Sequence, residues 1–452
     1  MKILTHKSSS VDMLHGPILK SMLMFAIPLF FSSVFQQLYN TMDTVIIGHT
    51  LGDEALAAMG AAGAVYDLLM GFSFGIGAGL AVVTARSFGS GDMDYLKKSV
   101  ASSVVIGACI TAVITVSVQF VLYPFLEVLN TPPEIIEQSY EYVSTITLFI
   151  VVMFAYNLCA GLLRAIGNSV MPLVFLILSS VLNIVLDIFF ITNLQMGVRG
   201  AAVATVIAQG VSVVCCLVYI AKKAKIMVPE KKHFVWDKEL YQEMLAQGLS
   251  MGFMNCIVTA GTAILQSGIN SLGYLVIAGH TAARKLLQFL MMPNIAMNQT
   301  ISTFVSQNRG AGEVGRIRKA MKYAYLYGVV VATAATVLML LFAPTAVRLI
   351  SGSSESVVLE NGALYLRVVA PCLAILGVLN PCRLGLQAIG QKVLPLFSSV
   401  IELFGKILFV AVMIPKFQYM AVIFCEPVIW CFMVAELLPA FWRNPFIRSA
   451  AR

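Results

Sequence analysis

The sequence predicts an all-α polytopic membrane protein of twelve transmembrane helices, arranged as two six-helix lobes related by a pseudo-two-fold axis along the membrane normal. Three observations support this fold class: the apolar composition, the length of the apolar runs and an internal repeat. Hydrophobic residues make up 59% of the chain and charged residues only 12%, and the mean hydropathy is +0.87. A water-soluble globule could not bury so much apolar surface, so a bilayer must solvate it.

Apolar runs of about 20 residues, the length of one helical crossing of a bilayer, recur from Leu19 to Trp442. Short clusters of helix-breaking or charged residues separate them, at 48–53, 88–92, 130–133, 167–172, 193–200, 222–238, 270–273, 308–315, 351–356, 390–395 and 415–418. Eleven such loops imply twelve helices. Membrane β-strands would alternate in segments of about ten residues, whereas these runs are longer and continuously apolar. We expect no cleavable signal peptide, because the first run starts late and lacks a small-residue cleavage site.

Lys and Arg are distributed unequally over the loops. Most of the 30 basic residues lie before the first helix, in the even-numbered loops or at the C-terminus, whereas the odd-numbered loops hold only Arg199, Arg348 and Lys416. Because basic loops stay in the cytoplasm, both termini should be cytoplasmic, in the inner or plasma membrane of the cell. The formal net charge of +8 follows from this distribution, and without a nucleic-acid-binding motif we expect no nucleic-acid partner.

The two halves of the chain align with each other almost without gaps. Early in each copy, Leu51 aligns with Leu272, and the separation of these two residues defines the shorter offset of the repeat. Later in each copy, Tyr142 aligns with Tyr365, and their separation defines the longer offset. The two offsets differ by only two positions. Because each copy has an even number of helices, both cross the membrane in the same direction, as in carriers that work by alternating access. The predicted domains are an N-terminal lobe (1–221), a cytoplasmic linker (222–238) and a C-terminal lobe (239–452).

Ionisable side chains inside a membrane are rare and usually functional. Four polar residues share a similar depth in the outer half of the N-terminal lobe: Asp43, Tyr142, Asp187 and Thr205, and Asn183 lies four residues before Asp187 on the same helix face. No Lys or Arg lies at that depth, and two buried carboxyl groups without a counter-ion favour binding of a proton or a cation. Oxygen ligands suit a hard ion such as Na⁺ and offer nothing soft for zinc or copper. The alternative is that both acids only cap backbone groups or share a proton as a packing device.

Other polar residues have less distinct roles. Candidates for lining a substrate cavity are Gln36, Gln37, Asn40, Asn157, Gln209 and Arg284. Glu402 and Lys406 are four residues apart and are expected to pair with each other. We expect neither an ATP-driven pump nor a membrane enzyme, because the sequence contains no GxxxxGK[ST], HExxH or GxSxG motif. Energy must then come from an ion gradient, with no cofactor.

Three segments of the sequence resemble segments of a known protein family: residues 39–44, residues 163–168 and residues 196–205. Together they are similar to the bacterial type of the multidrug and toxic compound extrusion (MATE) family, over nearly the whole chain. The resemblance implies multidrug efflux of small organic, cationic and amphipathic compounds in exchange for H⁺ or Na⁺, by a protein that functions as a monomer. It also implies that Asp43, Tyr142, Asn183, Asp187 and Thr205 form the cation or proton site.

The resemblance is incomplete in the C-terminal lobe. The NorM-like branch of the family has a glutamate on helix 7, where it belongs to a cation site of the C-terminal lobe. In this sequence the corresponding residues 248–259 contain no acid. The sequence therefore does not support a second cation site in the C-terminal lobe. Under the repeat, Asp43 falls on Ile264 and Asn183 falls on Lys406. Two alternatives stay open: a lipid-precursor or oligosaccharide flippase, which should have a more cationic cavity, and a channel, which should be lined similarly from both halves.

Overall fold

The computed structural model describes residues 10–128 and 131–449, which are almost entirely helical and contain no β-strand. The α-helices, in chain order, are α1 (Ile18–Leu51), α2 (Asp53–Gly89), α3 (Met93–Val128), α4 (Pro133–Leu148), α5 (Ile150–Ala165), α6 (Val170–Ile188), α7 (Gly197–Lys223), α8 (Lys238–Asn270), α9 (Tyr274–Gly310), α10 (Val314–Ser351), α11 (Ser356–Ala388), α12 (Val393–Leu408), α13 (Ile414–Phe417), α14 (Tyr419–Arg443) and α15 (Pro445–Arg448). Short π-helical segments follow α6 (Phe189–Asn193) and α12 (Phe409–Met413).

The described helices supply twelve membrane spans. By length and composition, ten stretches of helix could each cross a membrane, and α4 and α5 together form one further, bent span. The 37-residue α9 is long enough to be the twelfth, and it is less apolar because it includes Arg284 and Lys285. The predicted loops coincide with the breaks between spans, although residues 129 and 130, at the third loop, lie outside the described residues. The predicted all-α fold of twelve helices in two lobes is confirmed.

The fourth span differs from the single helix that the sequence predicts. Its two halves, α4 and α5, are bent by 52° at Phe149. Gln119 Nε2 on α3 donates to the Ser144 carbonyl oxygen at 2.9 Å, and Thr115 Oγ1 donates to the Thr147 carbonyl oxygen at 3.1 Å. Side chains that take up helix carbonyl groups in this way replace bonds of the helical ladder and cause bends. Hydrogen bonds from a neighbouring helix therefore accompany the bend.

The internal repeat is present in the backbone as well as in the sequence. Four pairs of residues with positive φ occupy equivalent positions in the two halves: Gly52 (83°) and Gly273 (94°), Gly91 (77°) and Gly312 (75°), Gly167 (88°) and Gly390 (96°), and Gln195 (51°) and Gln418 (52°). The first two pairs are related by the shorter offset of the sequence repeat, and the last two pairs are related by the longer one. The turns were therefore duplicated together with the helices.

The chain divides into two compact units. The first comprises Ile27–Gly252 with residues 10–12, and the second comprises Met13–Ala26 with the chain from Phe253 onward. Within the second unit, Arg316 on α10 binds the early segment, because its Nη2 atom donates to the carbonyl oxygens of Met13 and Gly16 at 2.9 and 3.0 Å. A few residues before the first helix are thereby tied to a helix from the other half of the sequence.

The segment between α7 and α8 is bound to α3 within the first unit. Lys97 Nζ lies 2.9 Å from Glu230 Oε1, and His233 Nε2 lies 3.1 Å from Asp94 Oδ1. Hydrogen bonds from Lys97 and Lys232 hold the pKa of the exposed Glu230 carboxyl group below its usual value. These polar contacts fix the basic linker at the end of α3.

Candidate cation site

Four helices of the first unit contribute to a buried polar cluster. It contains Asp43 from α1, Tyr142 from α4, Asn183 and Asp187 from α6, and Thr205 from α7. Asn183 and Asp187 are fully buried, and Asp43 is 8% exposed. The spacing of four residues places Asn183 and Asp187 on one face of α6, whose only other polar residues are Ser179 and Ser180. All five residues of the predicted site are thus buried in one unit.

Hydrogen bonds join three members of this cluster. Asn183 Nδ2 donates to Asp187 Oδ1 at 3.4 Å and to Thr205 Oγ1 at 3.3 Å. The Asp43 and Asp187 carboxyl groups are neighbours, close enough to influence each other electrostatically. Tyr142 lies in the same environment, within electrostatic range of both acids. The structure therefore brings together side chains from the first helix of the chain and from α7, which are far apart in sequence.

Two further tyrosines belong to the cluster and were missed by sequence reasoning. The Tyr39 hydroxyl lies 3.1 Å from Thr205 Oγ1, and Tyr66 on α2 packs against Tyr142 with ring centroids 6.2 Å apart. Tyr39 precedes Asp43 by four residues, so helical spacing places both on one face of α1 and could have identified it. For Tyr66 the sequence holds no comparable signal, because α2 contributes no other residue to the predicted site.

Three oxygens of the cluster lack a partner. Asp43 Oδ1, Asn183 Oδ1 and Asp187 Oδ2 are buried and accept no hydrogen bond from any described residue. Leaving a buried acceptor unsatisfied costs about 1–3 kcal/mol. Within residues 10–128 and 131–449 no Lys or Arg forms an ion pair with either acid. A proton or a hard monovalent cation would satisfy these oxygens and reduce the repulsion between the carboxylates.

The residues predicted to line a substrate cavity are distributed over both units. Gln36 Nε2 donates to Asn40 Oδ1 within α1 at 3.4 Å, and Asn157 Nδ2 donates to a carbonyl oxygen of its own helix at 2.8 Å. Gln37 is half-buried on α1, and Gln209 has a buried side-chain oxygen without a partner among the described residues. These positions share the first unit, and the sixth candidate lies in the second unit.

That sixth candidate, Arg284, belongs to a buried ion-pair network. Arg284 Nη1 donates to Glu426 Oε2 at 2.7 Å. Lys406 Nζ lies 2.9 Å from Glu402, which confirms the predicted pair, and 3.8 Å from Glu426. Arg383 lies 3.6 Å from Glu402. Sequence reasoning missed Glu426 and Arg383, although the rarity of ionisable residues in membrane spans was a usable signal for both.

Twelve membrane spans in two repeated halves, each with ionisable side chains buried in it, define a multi-pass membrane transporter. The MatE family model matches the chain twice, over residues 28–189 and 251–412. The chain therefore belongs to the MatE family, the multidrug and toxic compound extrusion transporters, as the sequence resemblance predicted. The two matches begin and end at positions related by the longer offset of the repeat.

Known proteins similar to this chain agree with the family assignment. It is 26% identical over 306 residues to the probable multidrug resistance protein YpnP of Bacillus subtilis (strain 168), covering 68% of each chain. It is 24% identical over 436 residues to the multidrug export protein MepA of Staphylococcus haemolyticus (strain JCSC1435), covering 94% of this chain and 92% of MepA.

Solved structures show the same fold. A MATE protein in the bent conformation superposes with a TM-score of 0.89 at 21% identity, over 99% of this chain and 100% of that protein. An outward-facing multidrug resistance MATE family transporter of the MOP superfamily also gives 0.89 at 21% identity, over 98% of this chain and 100% of that one.

Proposed function

We propose that this protein is a secondary antiporter that exports organic, cationic and amphipathic compounds in exchange for H⁺ or Na⁺. The observation that supports ion coupling is the pair of buried, neighbouring acids Asp43 and Asp187, with one unsatisfied oxygen each, a third on Asn183, and no basic partner among the described residues. Compound export is supported by the family and by relatives described as multidrug export proteins. The acids belong to helices of one unit, so a single chain would suffice.

The cluster suggests how an ion gradient could drive export. A proton or Na⁺ between Asp43 and Asp187 removes charge repulsion and links α1 to α6, which favours conformations in which these helices are close. Loss of the ion restores the repulsion and favours the other conformations. If substrate binds better to the ion-free conformations, the two ligands are coupled through the free energy that separates the states. Ion entry from outside then drives substrate release outward.

Dye efflux from cells tests the role of the two acids. Asp43→Asn and Asp187→Asn each remove one ionisable group at nearly constant volume, and each should reduce ethidium efflux to the level of cells without the transporter. The matched control is Glu54→Gln, which removes an exposed carboxylate from the same unit and should leave efflux unchanged. Normal efflux in both aspartate variants, with normal protein levels, would contradict the assignment.

Ion flux in proteoliposomes identifies the coupling ion. Purified protein is reconstituted, and substrate-induced ion movement is compared under an imposed Na⁺ gradient and an imposed pH gradient. Antiport predicts flux under at least one gradient, and Asp43→Asn should abolish that flux. Substrate movement that responds to neither gradient would exclude coupling to H⁺ or Na⁺.

A further inference from the structure

A lysine ammonium group occupies an oxygen-lined position in the second unit. Lys406 is 2% exposed. Its Nζ atom lies 2.9 Å from Glu402 Oε1, 3.8 Å from Glu426 Oε1 and 3.4 Å from Thr262 Oγ1. Gly261 on α8 leaves room for the aliphatic part of this side chain, because a Cβ atom there would lie 3.1 Å from Lys406 Cδ. Two carboxylates and a hydroxyl thus surround one buried positive charge.

The repeat aligns this lysine with the cation site of the first unit. The longer offset relates the positive-φ residues on either side of α6 to those on either side of α12, and it also relates the first residues of these two helices. No insertion or deletion is therefore needed between them, and Lys406 corresponds to Asn183. By the same offset, Tyr365 corresponds to Tyr142. Tyr365 also contacts this network, because its hydroxyl accepts from Arg284 Nη1 at 3.3 Å.

We propose that the Lys406 ammonium group is a tethered cation: it takes, in the second unit, the place that an exchangeable cation takes in the first, and it fills a latent monovalent-cation site formed by Glu402, Glu426 and Thr262. The comparison with the first unit rests on the function proposed above. The latent site itself rests only on contacts within the second unit.

The arrangement of the carboxylate oxygens supports this inference. Each glutamate directs one oxygen to Lys406 and the other to an arginine: Glu426 Oε2 contacts Arg284 at 2.7 Å, and Glu402 Oε2 lies 3.6 Å from Arg383. Removing Lys406 would therefore leave both Oε1 atoms without their cation while the arginines hold the Oε2 atoms in place. Removal of one partner from a buried ion pair is strongly destabilising unless something replaces its charge.

A tethered ammonium group cannot leave, so the second unit would exchange no ion at this position. Ion exchange would be confined to the first unit, and one coupling site would serve each cycle.

Replacing Lys406 tests the latent site. Lys406→Asn installs the residue that the first unit has at this position, and Lys406→Arg retains a tethered charge. Both are made in the full-length protein with Asp43→Asn and Asp187→Asn, so that any cation dependence comes from the second unit whether or not the proposed function is correct. The thermal unfolding midpoint is measured in detergent at pH 8 in choline chloride, and then in NaCl and LiCl of equal ionic strength.

The proposal predicts a saturable rise of a few degrees with Na⁺ or Li⁺ for Lys406→Asn, and none for Lys406→Arg or for the parent with both aspartates replaced. Should Lys406→Asn yield no folded protein, Lys406→Ala is purified in methylammonium, which should stabilise it where choline does not. Equal salt responses in the Asn and Arg variants would overturn the proposal. So would the absence of stabilisation by Na⁺, Li⁺ and methylammonium in both charge-removing variants.

Discussion

At the scale of single residues, the Tyr39 hydroxyl connects two helices of the candidate cation site. It lies 3.1 Å from Thr205 Oγ1, which in turn accepts from Asn183 Nδ2 at 3.3 Å. Thr205 makes both contacts with a single hydroxyl group, so the contact with Tyr39 helps to orient the lone pairs of the Thr205 oxygen. The contact therefore positions an oxygen of the site without supplying a charge.

Tyr39→Phe should weaken ion binding without abolishing transport. A net hydrogen bond contributes about 0.5–1.5 kcal/mol, so the ion concentration for half-maximal efflux should rise about two- to tenfold. The measurement is dye efflux as a function of Na⁺ concentration and of pH. Tyr140→Phe removes a hydroxyl elsewhere in the same unit, where the ring packs on Tyr123, and should not change the ion dependence. An unchanged ion dependence in Tyr39→Phe would exclude the positioning role.

Sequence reasoning found the residues whose signal is local or depends on depth. Asp43 and Asp187 are acids in apolar runs, and counting residues from the loops places them at one level. The ion pair between Glu426 and Arg284 could not be predicted because the two residues are 142 positions apart, beyond any helical spacing. The pair Glu402 and Lys406 was found because its partners are one turn apart. Long-range partners depend on how helices pack, which no periodicity specifies.

At the scale of elements, glycine permits the close crossing of α10 and α11. A Cβ atom on Gly328 would lie 2.5 Å from Gly377 Cα, and one on Gly377 would lie 2.7 Å from Gly328 Cα. The equivalent positions of the first unit are Gly107 and Phe154, where the phenyl ring lies against the glycine. The same glycine position thus accommodates backbone in one unit and an aromatic ring in the other.

Gly328→Val should therefore destabilise the protein. Overpacking a dense core usually costs about 1–3 kcal/mol, and here the added atoms meet backbone that cannot rotate away. The control is Gly315→Ala on the same helix, where an added Cβ atom would meet nothing within 4 Å. We expect a lower thermal unfolding midpoint for Gly328→Val and no decrease for Gly315→Ala. Equal midpoints in the two variants would show that the crossing tolerates a side chain.

The hydrogen bonds beside the bend in the fourth span lead to a second prediction about helix packing. Gln119→Leu removes the donor to the Ser144 carbonyl oxygen and to Thr147 Oγ1, at 2.9 and 3.1 Å. The half-buried Ser144 carbonyl oxygen keeps a hydrogen bond from Thr147 Oγ1 at 3.1 Å, so the variant loses two hydrogen bonds between helices, each worth about 0.5–1.5 kcal/mol, and the unfolding midpoint should fall. Thr333→Val is the control, because that exposed hydroxyl bonds only within its own helix. A Gln119→Leu midpoint no lower than that of the control would show that the bend needs no support from α3.

This bend also shows a limit of sequence reasoning about elements. The positions of helices and loops followed from apolar runs and helix breakers, and the structure confirms them. At Phe149 there is no proline or glycine to mark an interruption. The side chains that contact the carbonyl groups beside it are on α3, so only the packing of two helices reveals them.

At the scale of the whole molecule, the unequal distribution of basic residues predicts topology. All nine cysteines lie in helices and are first replaced. A single cysteine is then introduced at an exposed position in one of two connecting segments, either as Ser354→Cys between α10 and α11 or as Lys232→Cys between α7 and α8. An impermeant maleimide should label Ser354→Cys in intact cells and Lys232→Cys only after permeabilisation, because Lys-rich segments stay in the cytoplasm. The opposite pattern would invert the proposed orientation.

The turns at Gln195 and Gln418 have a consequence for the history of the chain. Both glutamines have a positive φ, of 51° and 52°, a sparsely populated conformation that costs a residue with a side chain about 1–3 kcal/mol. Glycine would avoid this cost, yet each copy has a glutamine at the same position. The simplest origin is an ancestral six-helix chain that already contained this turn before its gene was duplicated. The φ angle of this turn is therefore the same in both copies, whereas a side chain of the helix before the turn differs, with Asn183 in the first copy and Lys406 in the second.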